Sequence, residues 1–202
     1  LLEAYFPCPS KPEKEGTHSP PGGSSLAQAV KSLEEICSEI GDGIHATPRY
    51  SSDGEYYFIN GNNLSGGRVS LNANTKKISA SEKKEYGDKL AGNSILMSIN
   101  GTIGNIALYA GEKVLLGKSA CYLNPTHEVD RHYLYDFLSA PSTQEHFREE
   151  LTGSTIKNLS LRSIRSATIP LPPMPTQKEI SLHIGSVRRC IEENSDLSKK
   201  IR

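Results

Sequence analysis

The sequence predicts an α+β fold in which a curved, mostly antiparallel β-sheet carries a few helices and precedes a long C-terminal helix. Between residues 44 and 124, short β-branched or aromatic runs alternate with turns rich in glycine and asparagine, which is typical of a curved sheet or a partly closed barrel. Residues 128–140 and 142–151 instead have the composition and start signals of helices. The predicted strands are 56–59, 68–71, 94–99, 105–110, 113–116 and 119–123, with a short helical turn and a last strand within 161–169.

The chain divides into three parts. Residues 1–24 contain five prolines and no periodic pattern, so we expect a linker or tail. Residues 25–175 hold the main domain, which is expected to begin with a helix from Ser25 to Glu39 because its apolar residues recur on one face. Residues 176–202 are expected to form a helix whose apolar residues follow the spacing of a coiled coil. The seam consists of Ile180, Ile184, Val187, Ile191, Asn194, Ser198 and Ile201.

The joint between the last predicted strand and this helix is rich in proline. Four prolines fall within residues 170–175, which predicts a semi-rigid, polyproline-like spacer. Thr176 and Glu179 match a capping box, and Ser142 and Glu145 match a second one, so a helix is predicted to start at each. The alternative is an ordinary connection, since proline often precedes helices.

Composition excludes several classes of protein. The hydrophobic fraction is 36%, and no apolar run approaches the ~18 residues of a membrane span. The four cysteines lack ligand-like spacing, which argues against a metal site and a disulfide scaffold and favours a reducing, cytoplasmic setting. The net charge is zero, but residues 44–175 hold fourteen basic and twelve acidic side chains, a balance that permits a nucleic-acid partner without requiring one.

Sequence motifs of catalysis and of cofactor binding are missing. The chain has no [DN]PP[YF] tetrapeptide, no GxGxxG or GxxxxGK[ST] phosphate loop, no HExxH and no GxSxG. We therefore expect neither catalysis nor a bound cofactor or metal in this chain.

Polar, glycine-rich loops follow several of the predicted strands. They carry amides, hydroxyls and lysines, the groups that contact phosphates and base edges in nucleic-acid complexes. Because Asn-Gly is also a common turn dipeptide, each loop taken alone is better explained as a turn. The loops are "GDGIHATPRY" (41–50), "INGNNLSGG" (59–67), "SINGTIGN" (98–105), "GKSACY" (117–122) and "GSTIKNLS" (153–160).

Four separated blocks resemble one known family. They are "IGDGIHATPRYSSDGEYYFINGNNLSGGRVSL", "ILMSINGTIGN", "LGKSACYLNP" and "GSTIKNLSLRSIRSATIPLPPMPTQKEI". Their order, ending in a proline-rich strand exit and a helix, is similar to the target recognition domain of the specificity (S) subunit of type I restriction–modification systems. The resemblance runs from about Leu33 to Ile201.

The resemblance implies a DNA-binding, non-catalytic subunit. A typical S subunit has two target recognition domains, each recognising half of a bipartite double-stranded DNA site, with two long antiparallel helices that space them. A DNA methyltransferase (modification) subunit supplies the S-adenosylmethionine chemistry, and a restriction subunit joins for cleavage. This chain has one such domain and one spacer helix, so a half-subunit that self-associates, a fragment, or the specificity domain of a fused restriction–methyltransferase enzyme are all consistent with it.

The matching blocks indicate which residues face DNA. Lysines are expected at phosphates and asparagines at bases. A protein-interaction module, in which the loops are only turns and the helix docks a partner without DNA, is the alternative from another class. The candidate contact residues are His45, Arg49, Asn60, Asn62, Asn63, Lys76, Lys77, Asn100, Lys118, Thr155 and Lys157.

Overall fold

The computed structural model describes Phe6 and residues 29–153 and 157–200, and there the predicted α+β class is confirmed. The strands are β1 (Ala29–Ser32), β2 (Cys37–Asp42), β3 (Tyr56–Ile59), β4 (Leu64–Ser65), β5 (Arg68–Val69), β6 (Lys77–Ile78), β7 (Ile95–Ser98), β8 (Ile106–Leu108), β9 (Val114–Leu116), β10 (Ala120–Pro125) and β11 (Thr168–Leu171). The helices are α1 (Leu33–Ile36), α2 (Ala80–Tyr86), α3 (Arg131–Ser139), α4 (Pro141–Glu149), α5 (Leu161–Ser166) and α6 (Met174–Lys200), and Gly61–Asn63 form a 3₁₀ turn.

Two sheets form the centre of the domain. Four antiparallel strands lie in the order β2-β10-β7-β8. Three more lie in the order β6-β3-β9, where β3 and β9 are parallel and β3 and β6 antiparallel. Two-stranded pairs join β1 to β11 and β4 to β5. Within the described residues, six of the seven strand pairings are antiparallel, and the pairing of β3 with β9 is parallel.

The two central strands of the four-stranded sheet, β7 and β10, are buried on both faces. Side chains of a strand alternate between its faces, so neighbouring residues enter different surroundings. On β7, Ile95 and Met97 join one hydrophobic core, whereas Leu96 joins another. On β10, Cys121 and Tyr122 divide in the same way. The first core is closed by α1, α3, α4 and α5, and the second by β3 and β9.

The helix predicted from Ser25 to Glu39 is wrong for the residues that are described. Residues 29–32 and 37–42 are strands, and only Leu33–Ile36 form a helical turn. Ser32 and Glu35 make a reciprocal capping box, which supports this turn. The helical prediction rests on the spacing of Leu26, Val30, Leu33 and Ile36–Cys37, of which only Leu33 and Ile36 lie in the turn. Pairing of β2 with the buried β10 overrides helix propensity beyond it.

The two predicted helix starts also differ from the structure. Helix α4 begins with Pro141, because proline at the first helical position has a suitable φ and lacks an N–H that would need a partner. Its N-cap is Ala140, so Ser142 does not cap it. The Ser142 hydroxyl instead donates to the carbonyl of Phe6 at 2.9 Å, and the Phe6 ring is fully buried against α3.

The proline-rich joint is a two-residue connection rather than a spacer. Strand β11 ends at Leu171 and α6 begins at Met174, two residues before the predicted start at Thr176. The side chain of Gln177, 1% exposed, holds this joint. Its Oε1 accepts from the Asp130 backbone N–H at 2.8 Å, and its Nε2 donates to the carbonyls of Glu128 at 3.0 Å and Pro172 at 2.8 Å. One amide thereby ties the last strand, the start of α3 and the helix together.

Helix α6 leaves the domain along α3. Ile184 is buried in the first core, and Arg188 donates from Nη2 to the buried Asp136 carboxylate at 2.8 Å. Farther along, the side chains of Val187 and Ile191 are exposed by 37% and 64%. Among the described seam residues, Ile180 and Ile184 therefore pack on the domain, whereas Val187 and Ile191 face solvent. In the described part of the chain, no helix is both long and apolar enough to cross a bilayer.

Replacing Gln177 tests the joint. Gln177→Ala leaves one buried N–H and two carbonyls without this partner, which is expected to lower the free energy of unfolding by about 1–3 kcal/mol. Urea denaturation measures it, and limited proteolysis near residue 174 reports release of the helix. Lys178→Ala, at the exposed neighbouring position, serves as the control with an expected change below about 0.5 kcal/mol. Equal stability of the two variants would contradict the proposed role of Gln177.

Asp136 gives the fold a defined pH dependence. Burial raises the pKa of its carboxyl above the ordinary value of 3.8, although Arg188 opposes the shift. Folded protein therefore holds this proton more tightly than unfolded protein does, so the free energy of unfolding falls as pH rises from 3.8 through the folded-state pKa. The Asp136→Asn variant has no carboxyl group at this position, so its free energy of unfolding should not show this fall. Urea unfolding between pH 3.5 and 7 should show the variant gaining stability relative to wild type with rising pH, and a constant difference would contradict the assignment.

Candidate nucleic-acid interface

Loops from both sheets meet at one edge. Strands β3 and β9 are parallel and in register at Ile59 and Leu116, so their carboxyl ends coincide. The Ile99 N–H, just after β7, donates to the Ser119 carbonyl at 2.9 Å, and the Leu159 N–H donates to the Ile99 carbonyl at 2.9 Å. We call this surface the loop edge. It comprises residues 42–49, 60–63, 99–104, 117–119 and 157–160.

The backbone of residues 43 and 44 lies close to that of Leu116 and Gly117, which places the loop 42–49 in the loop edge. The Ile44 N–H donates to the Leu116 carbonyl at 2.7 Å, and Ile44 pairs with Gly117 in a parallel bridge. A Cβ built on Gly43 meets the carbonyl oxygen of Gly117 and the Leu116 backbone. Only glycine fits at position 43, and its small size is what lets residues 44–49 lie beside the β9–β10 turn.

A shallow cleft of 140 Å³ lies in the loop edge. It brings together three of the candidate contact residues, His45, Asn100 and Lys118, together with Asp42 and Asn158. His45 Nε2 lies 2.7 Å from Asp42 Oδ2, and Asn100 Nδ2 donates to the Lys118 carbonyl at 3.3 Å. Asn100 keeps its Oδ1 and one N–H for another partner. The cleft thus offers acceptors, donors and a cation at one place.

Two lysines of the loop edge are free. Lys118 and Lys157 are exposed, and neither has an ion pair or hydrogen bond from its ammonium within the described residues. Lys157 precedes Asn158, whose backbone pairs with Asn100 beside the cleft. Thr155, another candidate, lies outside the described residues. Exposed ammonium groups on a polar surface are suited to phosphate oxygens.

The three candidate asparagines after β3 have different surroundings. Asn60 Oδ1 accepts from the Ser119 hydroxyl at 3.0 Å. Asn63 Oδ1 accepts from the Asn60 N–H at 3.0 Å, and its Nδ2 donates to the Ser70 carbonyl at 3.1 Å. Asn63 therefore holds its own turn together, and Asn60 links that turn to the β9–β10 turn. Asn62 is exposed, and its amide has no hydrogen bond in the part of the chain that is described.

The other three candidates lie along β6 and α2, away from the cleft. Arg49 bonds to Glu82 and Glu85 of α2. The Lys76 ammonium lies 5.8 Å from the centre of the Tyr50 ring, and the Lys77 ammonium 5.2 Å from that of Tyr57. These three cations therefore already contact carboxylates or aromatic rings of the domain, unlike Lys118 and Lys157.

Hydrogen bonds fix the charge state beside Arg49. The Arg49 backbone N–H, and then its guanidinium, lower the pKa of the Glu82 carboxyl. The same carboxylate raises the pKa of Arg49. Both groups are therefore ionised at neutral pH.

Two cleft residues, Asp42 and Asn158, were absent from the predicted set. Asp42 is the last residue of β2 and falls within the loop 41–50, but it is not among the predicted contact residues. Asn158 lies between exposed Lys157 and fully buried Leu159. An apolar residue within a polar loop was the signal that this segment packs on the domain.

Replacing glycine tests the close approach at the loop edge. Gly43→Ala places a methyl group against backbone atoms that have no room to move, and about 1–3 kcal/mol of unfolding free energy should be lost. Gly92→Ala is the matched control, because its Cβ would meet open space and φ there is not positive. That change should stabilise the fold by up to about 1 kcal/mol. Urea denaturation compares the two, and a Gly43→Ala variant as stable as wild type would contradict the packing described.

Comparison with known proteins identifies similar sequences and folds. The model of the type I restriction modification DNA specificity domain matches residues 28–202. The chain is 28% identical over 120 residues to the specificity subunit of the type I restriction enzyme EcoBI of Escherichia coli, an alignment that spans 58% of this chain and 25% of that subunit.

Solved structures share the fold. The HsdS subunit from Thermoanaerobacter tengcongensis matches with a TM-score of 0.67 and 18% identity, over 95% of this chain and 42% of that one. The type I restriction–modification S subunit from M. genitalium matches with a TM-score of 0.55 and 17% identity, over 87% and 43%. The chain thus spans about two-fifths of these solved chains and a quarter of the curated relative.

Proposed function

Because this chain belongs to the family of type I restriction modification DNA specificity domains, we propose that it recognises one half of a bipartite double-stranded DNA site. In this proposal it positions a DNA methyltransferase subunit and a restriction subunit at that site, contributes no catalytic group of its own, and acts in the cytoplasm. The methyltransferase supplies the S-adenosylmethionine chemistry.

The loop edge is the observation that carries the proposal. Lys118 and Lys157, which have no ion pair among the described residues, lie beside a cleft whose lining includes amide and carboxylate groups. Lysines that contact phosphates position a protein on the duplex, while amides at base edges specify the sequence. Asn62 is exposed and its amide makes no hydrogen bond among the described residues, and Asn100 lines the cleft with its Oδ1 and one N–H unbonded. We assign base contacts to these two.

Helix α6 supports the proposed spacing role. Its 27 residues correspond to about 40 Å at 1.5 Å per residue. The short joint at Gln177 and the Asp136–Arg188 pair fix its start on the domain. We propose residues 25–175 as the target recognition domain and 176–202 as a spacer helix. Exposed Val187 and Ile191 would then join a second spacer helix, in a second copy or in the same longer chain.

Salt dependence tests phosphate contact at the loop edge. Lys118→Ala and Lys157→Ala should each weaken binding to duplex DNA and reduce the slope of log K against log salt by about 0.9, the value for one phosphate contact. Preference among sequences should remain, since phosphate contacts carry no base information. Fluorescence anisotropy between 50 and 200 mM salt measures both quantities.

Lys113→Ala is the matched control. Lys113 is also exposed and adjoins β9, but at the end of the strand opposite to Lys118. Its removal should leave the slope unchanged. Equal slopes for all three variants would contradict the placement of DNA at the loop edge. Absent or salt-insensitive binding by wild type, with the methyltransferase present, would leave a protein-interaction module instead.

A further inference from the structure

One buried carboxylate holds Arg49 at two points. Glu82 Oε1 accepts from the Arg49 backbone N–H at 2.9 Å, and Glu82 Oε2 accepts from its Nε at 2.8 Å. The Glu82 side chain is only 5% exposed, whereas that of Arg49 is 79% exposed. Arg49 Nη2 donates to Glu85 at 2.9 Å. The backbone of Arg49 is therefore fixed to α2 together with its guanidinium.

These bonds fix the downstream end of a loop in the proposed DNA interface. At its upstream end, Ile44 is bonded to β9. Just after Arg49, Tyr50 pairs with Ile78, and the Ser51 N–H donates to the Lys77 carbonyl at 2.9 Å. Between the two ends lie residues 45–48, of which the first three are exposed and include the cleft residue His45.

We propose that Arg49, through Glu82, is a positioning residue that holds residues 45–48 in their DNA-binding conformation and does not itself contact DNA. This inference rests on the proposed function. It differs from the expectation, drawn from the sequence, that Arg49 is a contact residue. Its physical basis is pre-organisation: a loop already ordered in the free protein does not pay its ordering entropy on binding.

The bonding pattern favours positioning over phosphate contact. Two of the three guanidinium nitrogens already have carboxylate partners, so a phosphate would have to compete with Glu82 and Glu85. Glu82 is shielded from water, and separating it from Arg49 would leave a buried charge without its partner. Lys118 and Lys157 can bind a phosphate without first separating from a buried carboxylate.

Substitution at Glu82 gives opposite results for the two roles. Glu82→Gln preserves the shape of the side chain but places an amide where one acceptor oxygen was. If Arg49 positions the loop, the variant should bind the recognised sequence roughly three- to ten-fold more weakly, the range for ordering one or two flexible groups. If Arg49 contacts phosphate, the variant should bind more tightly, because it frees the guanidinium and removes a negative charge.

The Arg49→Lys variant provides a second test that distinguishes positioning from phosphate contact. Lysine keeps the charge and binds phosphate well, but it cannot reproduce the planar fork. Positioning predicts weakening similar to that of Arg49→Ala, with a salt slope equal to wild type for both variants. Phosphate contact predicts near-normal binding for Arg49→Lys, and a slope lower by about 0.9 for Arg49→Ala.

The experiment uses the full chain together with the proposed methyltransferase subunit. It measures the affinity of wild type, Glu82→Gln, Arg49→Lys and Arg49→Ala for specific and for random duplexes. Glu85→Gln is the control: it removes the same charge from the same helix but leaves both Glu82 bonds, so specific binding should not weaken. Amide hydrogen exchange without DNA should show faster exchange at residues 45–48 in Glu82→Gln, with the core strands unchanged.

The outcomes are distinct. Positioning is supported if Glu82→Gln binds the specific duplex more weakly, exchanges amide hydrogens faster at residues 45–48, and keeps the wild-type salt slope. Tighter binding by Glu82→Gln, or a slope lowered by Arg49→Ala, overturns it. A wild-type chain with no preference for any duplex defeats the proposed function itself, and that result comes from the wild-type measurement alone.

Discussion

Burial of β7 and β10 on both faces is the constraint on which the rest of the structure depends. A sheet between two hydrophobic cores leaves no polar side chain free along its length, so the groups that can meet a ligand are at the strand ends. The parallel register of β3 with β9 brings their carboxyl ends to the edge where β7 ends and β10 begins. Gly43 then allows the loop after β2 to join them. Rigid strands and polar loops together make the loop edge.

The same packing gives the C-terminal helix its direction. Strand β11 and helix α3 both border the first core, and Gln177 bonds to the backbone beside each of them. Ile184 and Arg188 continue the contact for about three turns of α6, after which Ile191 faces solvent. Loop edge and helix therefore belong to one packed unit. A domain that must hold its recognition surface at a set distance from a second one needs this property.

Much of the fold followed from local patterns, and the differences have physical causes. Strands such as 56–59 and 94–99 were recognisable because β-branched and aromatic runs ended at glycine or asparagine. The helix predicted from Ser25 was wrong because residues 37–42 pair with β10. Such long-range pairing cannot be read from the spacing of apolar residues. In the candidate site, sequence placed His45, Asn100 and Lys118 in loops that the structure brings together. It could not separate Asn62 from Asn60 and Asn63, whose side-chain oxygens accept hydrogen bonds from Ser119 and from the Asn60 backbone. The Arg49–Glu82 pair joins residues far apart in sequence and had no local signal.

Selection from a random duplex library tests the central claim most directly. The chain, with the methyltransferase subunit proposed as its partner, is offered the library as wild type and as Asn100→Ala. The account predicts enrichment of one short sequence by wild type, alone or as two copies at fixed spacing. Asn100→Ala should lose preference at a single base position, a change worth about 1–3 kcal/mol. No enriched sequence for wild type would contradict recognition by the loop edge, and an identical preference in both proteins would remove Asn100 from base contact.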